Sequence, residues 1–163
     1  MELSATTLTH AQVRLEPFAE HHRAGLVAAA EADASIFEHM PYAVAEHGYG
    51  PFFWWLRAEQ AAGRWMPHAV IAPDGDVVGQ SCYLNIRSKD SGVEIGGTWY
   101  RREAHGTAIN PAAKLLLLDH AFACGAERVE FKTDALNTQS RAALLKLGAV
   151  FEGIFRRQMR RPD

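Results

Sequence analysis

The sequence predicts one α/β domain in which strands and helices follow the order βααβββαβαβ. Three observations carry this. Residues 66–72 and 77–86 are strand-like and flank the turn-forming Pro73-Asp74-Gly75, which reads as a hairpin. A further strand, 93–100, runs through a glycine-bearing loop into a helix opened by Asn110-Pro111. After it, strand and helix patterns alternate to the end of the chain. Mixed order of this kind implies a sheet with helices packed against it. At 163 residues the chain is long enough for one domain with a sizeable core.

Taken in order, the first ten residues read as a loose lead-in. Gln12 to Leu15 alternates polar and apolar, so an opening strand is expected at Val13-Arg-Leu-Glu-Pro17. Residues 19–34 are alanine-rich with few breakers and predict a helix. Met40-Pro41-Tyr42 interrupts the pattern, and residues 51–62 predict a second helix, with Pro51 in its first turn and Gly63 past its end. The hairpin and the 93–100 strand follow. A third helix is expected at 111–124, with Asn110 as N-cap and Gly125 as C-cap. A strand at 129–133, a short helix at 140–147 and a final strand at 150–159 complete the chain.

Composition narrows the function classes. Apolar residues make up 48% and charged residues 22%, as in ordinary globular proteins. The net charge of −2 gives no global attraction to nucleic acid or to an anionic membrane, so neither is expected as a partner. No apolar run approaches the ~20 residues of a membrane span, and Met1 does not open a signal pattern. A cytoplasmic protein is expected. Cys82 and Cys124 lack metal or redox spacing and read as buried apolar residues in a reducing compartment. None of the eight histidines has metal-ligand spacing, so no metal is expected, and His21-His22 reads as helix surface. Arg156, Arg157, Arg160 and Arg161 read as a solvated strand end.

Two segments carry chemistry. From Arg101 to Asn110 the chain leaves a strand, passes Gly106 and enters a helix N-terminus. Backbone amides in such a turn can hold a phosphate, Gly106 lets the backbone come close, and Arg101 and Arg102 add positive charge. A plain strand-to-helix turn uses the same glycine. On the preceding strand, Glu94 shares a face with Gly96, Thr98 and Tyr100, and the small residues leave room beside its carboxylate. That carboxylate is either a base for an ammonium proton, or a solvated strand glutamate or ion-pair partner. The aromatic run Phe52-Phe-Trp-Trp55 reads mostly as core.

Several short strings then act together: Glu94-Ile95-Gly96, Gly106-Thr107-Ala108, Asn137 with Ser140, and Leu147-Gly148-Ala149 with Glu152-Gly153. In this order they resemble the GNAT superfamily of acetyl-CoA-dependent N-acetyltransferases, within it the branch that acetylates ribosomal-protein N-termini. The resemblance covers nearly the whole chain and is weakest over 24–65, where such enzymes vary their acceptor site. It implies a mostly antiparallel central sheet flanked by helices. It also implies acetyl-CoA as cosubstrate, held by Trp99, Tyr100, Arg101, Arg102, His105, Gly106, Thr107, Ala108, Asn110, Asn137 and Ser140. The family's loop pattern is Arg or Gln, two residues, Gly, one residue, Gly or Ala. Gly106 and Ala108 match it, but its first position falls on Glu103, with Arg102 one place early.

The resemblance implies catalytic roles for Glu94, as general base, and for Ser140, near the departing thiolate. Residue by residue, the alternatives are helix capping for Ser140 and an Asx turn for Asn137. The strand ending at Trp99-Tyr100 is expected to bulge, with Gly96-Gly97 permitting it. The acceptor is a primary amine, a peptide N-terminus or a small molecule, and Met40, Tyr42, Trp54 or Trp55 could wall its pocket. A catalytically weak acyl-CoA-binding domain is the alternative. Relatives carry one more strand after the last one here, so 150–159 is expected to leave an open edge and to support a homodimer.

Overall fold

The computed structural model describes residues 1–160, and Arg161, Pro162 and Asp163 lie outside the described residues. Six strands form one sheet in sequence order: β1 (Leu8–His10), β2 (Val13–Pro17), β3 (Trp65–Ile71), β4 (Val77–Arg87), β5 (Gly92–Tyr100) and β6 (Arg128–Glu130). The first five are antiparallel neighbours, and β6 lies parallel to β5. The parallel pair follows from the crossover helix α4 (Ile109–Ala123), which returns the chain to the same end of the sheet. Between β2 and β3 stand α1 (Arg23–Glu31), α2 (Val44–His47) and α3 (Tyr49–Ala61). Helix α5 (Thr138–Lys146) follows β6.

The β3–β4 turn forms as its residues dictate. Gly75 takes φ +92° and donates to the Ala72 carbonyl at 2.9 Å, and the Asp74 carboxylate accepts from the Asp76 amide at 3.0 Å. The sheet is buried on both faces. On one, Val70, Val93, Ile95 and Tyr100 pack against Ala113, Leu117 and Ala121 of α4. On the other, Ala69, Cys82, Leu84 and Trp99 pack against Leu26 of α1 and Phe53 and Leu56 of α3.

Two glycines set how closely β4 and β5 approach. A Cβ on Gly79 would lie 2.2 Å from the Trp99 carbonyl oxygen, which is backbone and cannot swing aside. Gly79→Ala is therefore expected to lower stability by about 1–3 kcal/mol, the usual scale for overpacking. Urea denaturation reads this directly, and unchanged stability would refute the close approach. Gly97, at φ +57°, forms a bulge: β4 pairs Gln80 with Trp99 and Cys82 with Gly96, so Ser81 faces two residues of β5.

Several expectations need correction. The lead-in contains β1, paired Leu8 to Leu15. The helix expected over 19–34 is shorter and flanked by 3₁₀ turns at Glu20–His22 and Ala34–Phe37, the second capped by Asp33. His21 is exposed but His22 is buried. Its Nδ1 accepts from the Ala19 amide at 3.1 Å, and its Nε2 donates to Glu16 at 2.9 Å. Glu16, His21 and His22 form a cluster of ligand-type atoms within 4.8 Å of one another. The bond from Ala19 keeps the His22 proton on the nitrogen that faces Glu16, so the pair is a neutral imidazole hydrogen-bonded to a carboxylate.

The expected caps also move. Helix α4 starts at Ile109 with Ala108 in the N-cap place, so Asn110 lies within its first turn, while Gly125 follows its end at φ +89°. Helix α5 begins at Thr138, earlier than expected, because Asn137 supplies the cap and accepts from the Ser140 amide at 2.9 Å. Residues 150–159 form no strand. They contain strand-forming side chains but form no ladder with any described strand. Val150, Phe151, Ile154 and Phe155 stay exposed, while Arg128 ion-pairs with Glu152. The edge on which a homodimer was expected is therefore missing from the described residues.

Candidate functional site

The loop between β5 and α4 offers unused donors. A 3₁₀ turn, Arg102–Ala104, takes the amides of Ala104 and His105 back to the Arg101 and Arg102 carbonyls. The Thr107 hydroxyl donates to Ala104 O at 2.8 Å and accepts from the Ile109 amide at 3.3 Å. The amides of Gly106, Thr107, Ala108 and Asn110 donate to no partner among the described residues. Gly106 sits at φ +72° with open space where a Cβ would be. Four free amides at the positive end of a 15-residue helix are donors of the kind that can hold an anion.

The two expected arginines do not join these amides. Arg101 reaches Asp76 at 3.1 Å, and Arg102 binds Asp33 at 2.5 Å and the Ser35 hydroxyl at 2.7 Å. The Ser35 hydroxyl and the Arg102 guanidinium hold the Asp33 carboxyl down to about 2. Side chains of the other expected cofactor residues are also committed. Trp99 is core, edge-on to Phe37 at 5.3 Å and Tyr49 at 5.0 Å. Tyr100 is buried on the α4 face. His105 meets the Tyr100 carbonyl at 2.9 Å and Gln139 at 3.5 Å, which brings the start of α5 beside the loop.

Farther along the sheet the β5–β6 ladder stops short. β5 and β6 pair only at Gly92/Arg128, Val93/Val129 and Glu94/Glu130, and then part. Where the ladder stops, the bulged end of β5 faces the segment after β6, with Lys132 bonded to Glu94 and Phe131 beside Lys114. A peptide-like arm laid here meets strand edges that have lost their ladder.

Glu94 stands where pairing ends and is 4% exposed. Asn85 and Lys132 both donate to its Oε2 at 2.7 Å, while Oε1 points to Gly96, within 3.2 Å of where a Cβ would be. The carboxylate is thus an ion-pair partner and still presents a free edge to the bulge. Asn85 reaches it from φ +47°, a conformation tolerated by Asn better than by most residues and worth attention when it serves a buried acid.

Beside the bulge lies an aromatic group. Trp65 packs where a Gly97 side chain would be, 2.9 Å away. Its ring lies 5.3 Å from Trp55 and 6.0 Å from Tyr42, with Tyr42 to Trp55 at 5.6 Å. Trp55 and Tyr42 therefore stand with Trp65 beside the bulge, whereas Trp54 turns away onto Phe53 and is 53% exposed. Ser140 is partly buried in the first turn of α5, and its capping role passes to Asn137, an Asx-type contact. Sequence reading missed Trp65, Asn85, Lys132 and Lys114. The last was visible as the lone charge in the Ala-Ala-Lys-Leu-Leu-Leu-Leu stretch of α4.

The comparisons agree with this geometry. A family model described as an acetyltransferase (GNAT) domain matches residues 12–150. No curated protein matches the chain. Among solved structures, a probable GNAT-family acetyltransferase from Chromobacterium violaceum is 28% identical, with TM-score 0.89, covering 98% of this chain and 81% of that one. RimJ of Mycobacterium smegmatis, in complex with CoA-disulfide, is 27% identical, with TM-score 0.81 and coverage of 95% and 80%. An acetyl transferase of Salmonella typhimurium that modifies the N-terminal serine of ribosomal protein L7/L12 shares the fold at TM-score 0.82 and 16% identity, with coverage of 96% and 92%. These neighbours match the expected branch, and the free amides fit the diphosphate of coenzyme A. The chain belongs to the GNAT acetyltransferase family and is an N-acetyltransferase.

Proposed function

We propose that the protein transfers the acetyl group of acetyl-CoA directly to the α-amine of a peptide. The observation that carries this is the parting of β5 and β6 after Glu94/Glu130, together with the free amides of Gly106 to Asn110. In this reading the diphosphate sits on those amides and the arm lies in the gap. Glu94 Oε1 removes the proton of the incoming ammonium, directly or through water. Ser140 serves the departing thiolate, since its own capping role is already filled by Asn137. No acyl-enzyme is invoked. The peptide acceptor is supported by the likeness to the acetyl transferase that modifies the N-terminal serine of ribosomal protein L7/L12, and by the aromatic group of Tyr42, Trp55 and Trp65, which suits a side chain next to the reacting amine.

Gly106→Glu tests the cradle. It places a bulky anion at a φ of +72°, where any side chain is strained and this one repels phosphate. Calorimetric titration is expected to show acetyl-CoA affinity down by at least about tenfold. Unchanged affinity would sink the assignment. A panel of N-terminal peptides against polyamines and free amino acids then decides the acceptor, with faster turnover of a small amine overturning the peptide reading.

A further inference from the structure

Lys114 points from α4 into the sheet and is 5% exposed. Its Nζ donates to Thr98 Oγ1 at 2.6 Å and to Ser81 Oγ at 3.1 Å, and lies 5.8 Å from the centre of the Phe131 ring. No carboxylate among the described residues faces it. The groups around it are Ser81 and the Cys82 thiol from β4, Thr98 from β5, and Phe131 from beyond β6.

Folding alone does not account for this residue. Neighbours on the same helix, Ala113, Leu117 and Ala121, are apolar and buried. A buried ammonium without an acid partner is costly, and an apolar side chain of equal length would pack there. The two hydroxyls do not need the lysine either, because Ser81 and Thr98 already bond each other at 2.7 Å. An ammonium has three donors. Two are used, and the third has no oxygen or nitrogen partner among the described residues.

We propose that Lys114 is a ligand-binding residue, seated between Thr98 and Phe131 where β5 and β6 have parted, and donating to a carbonyl oxygen of the acetyl-CoA arm. The proposal rests on the acetyl-CoA reading given above. Phosphates belong at the free amides of the α4 N-terminus. What reaches Nζ farther along the gap is the neutral part of the ligand, whose acceptors are the amide carbonyls and the thioester carbonyl. Phe131 supplies an apolar side to the same passage.

The test is calorimetric titration of Lys114→Met and Lys114→Gln with acetyl-CoA, coenzyme A and ADP, which carries the diphosphate and no arm. Lys114→Met is expected to weaken acetyl-CoA binding by about tenfold to a hundredfold, the scale of a lost charged hydrogen bond. Lys114→Gln, which keeps an N–H donor, is expected to fall between it and wild type. ADP affinity is expected to stay the same. Equal weakening for acetyl-CoA and coenzyme A assigns the contact to an arm amide, and weakening for acetyl-CoA alone assigns it to the thioester. Unchanged acetyl-CoA binding in Lys114→Met overturns the proposal, as does an equal loss for ADP. Wild-type protein that binds none of the three overturns the acetyl-CoA reading itself.

Discussion

Glu94→Gln is expected to lower kcat by about 10²–10⁴-fold, the range for removing a general base, with acetyl-CoA affinity unchanged. The difficulty is that Glu94 also holds Lys132 at 2.7 Å. A purely structural carboxylate would show a different pattern. Lys132→Met separates the two roles, since it breaks the ion pair and leaves the carboxylate in place. Lys132 is partly exposed, so this loss is expected to cost about 1–3 kcal/mol of stability. If Glu94 is the base, Lys132→Met keeps turnover within about tenfold of wild type while Glu94→Gln does not. Equal and modest loss in both variants would make Glu94 a structural acid. The measurement is steady-state kinetics with a confirmed acceptor, with thermal unfolding of each variant alongside.

The fold was legible wherever local chemistry decides it. Pro73-Asp74-Gly75 marked the hairpin, Gly63 and Gly125 marked helix ends, and the Gly96-Gly97 pair marked the bulge. Expectations failed where a long-range partner decides. β1 exists because Leu8 pairs with Leu15, not because three residues favour a strand. Residues 150–159 have strand-like side chains but form no ladder with any described strand, although the outer side of β6 is an edge. Caps were misplaced by one to three residues because several neighbouring polar residues compete for each helix start. At the candidate site, the free amides after Gly106 and the place of Glu94 on its strand were readable because glycine and a strand glutamate are local signals. The arginines of the loop were not, since Asp33 and Asp76 come from distant segments to claim them. Lys132 and Asn85 meet Glu94 only through tertiary structure.

Lys114→Met is expected to make the fold more stable by about 1–4 kcal/mol near neutral pH, the range seen when buried charges give way to apolar side chains. Burial pushes the Lys114 ammonium down to about 7. In the unfolded chain the same group titrates near ~10.4. Between those values the unfolded state holds more protons than the folded one, so the lysine's contribution to stability improves as pH rises. Below about pH 7 both states are charged, and the cost of burial is present in full. The advantage of Lys114→Met is therefore largest at and below neutrality and shrinks toward about pH 10. Urea unfolding of both proteins across this range measures the difference, with shared effects of other groups cancelling. A variant no more stable than wild type, or a difference independent of pH, would show that the hydroxyls of Ser81 and Thr98 fully compensate the buried ammonium. A residue that weakens the fold and strengthens ligand binding is what a site built against local packing preference looks like. The stability gain and the affinity loss of this one variant must then appear together.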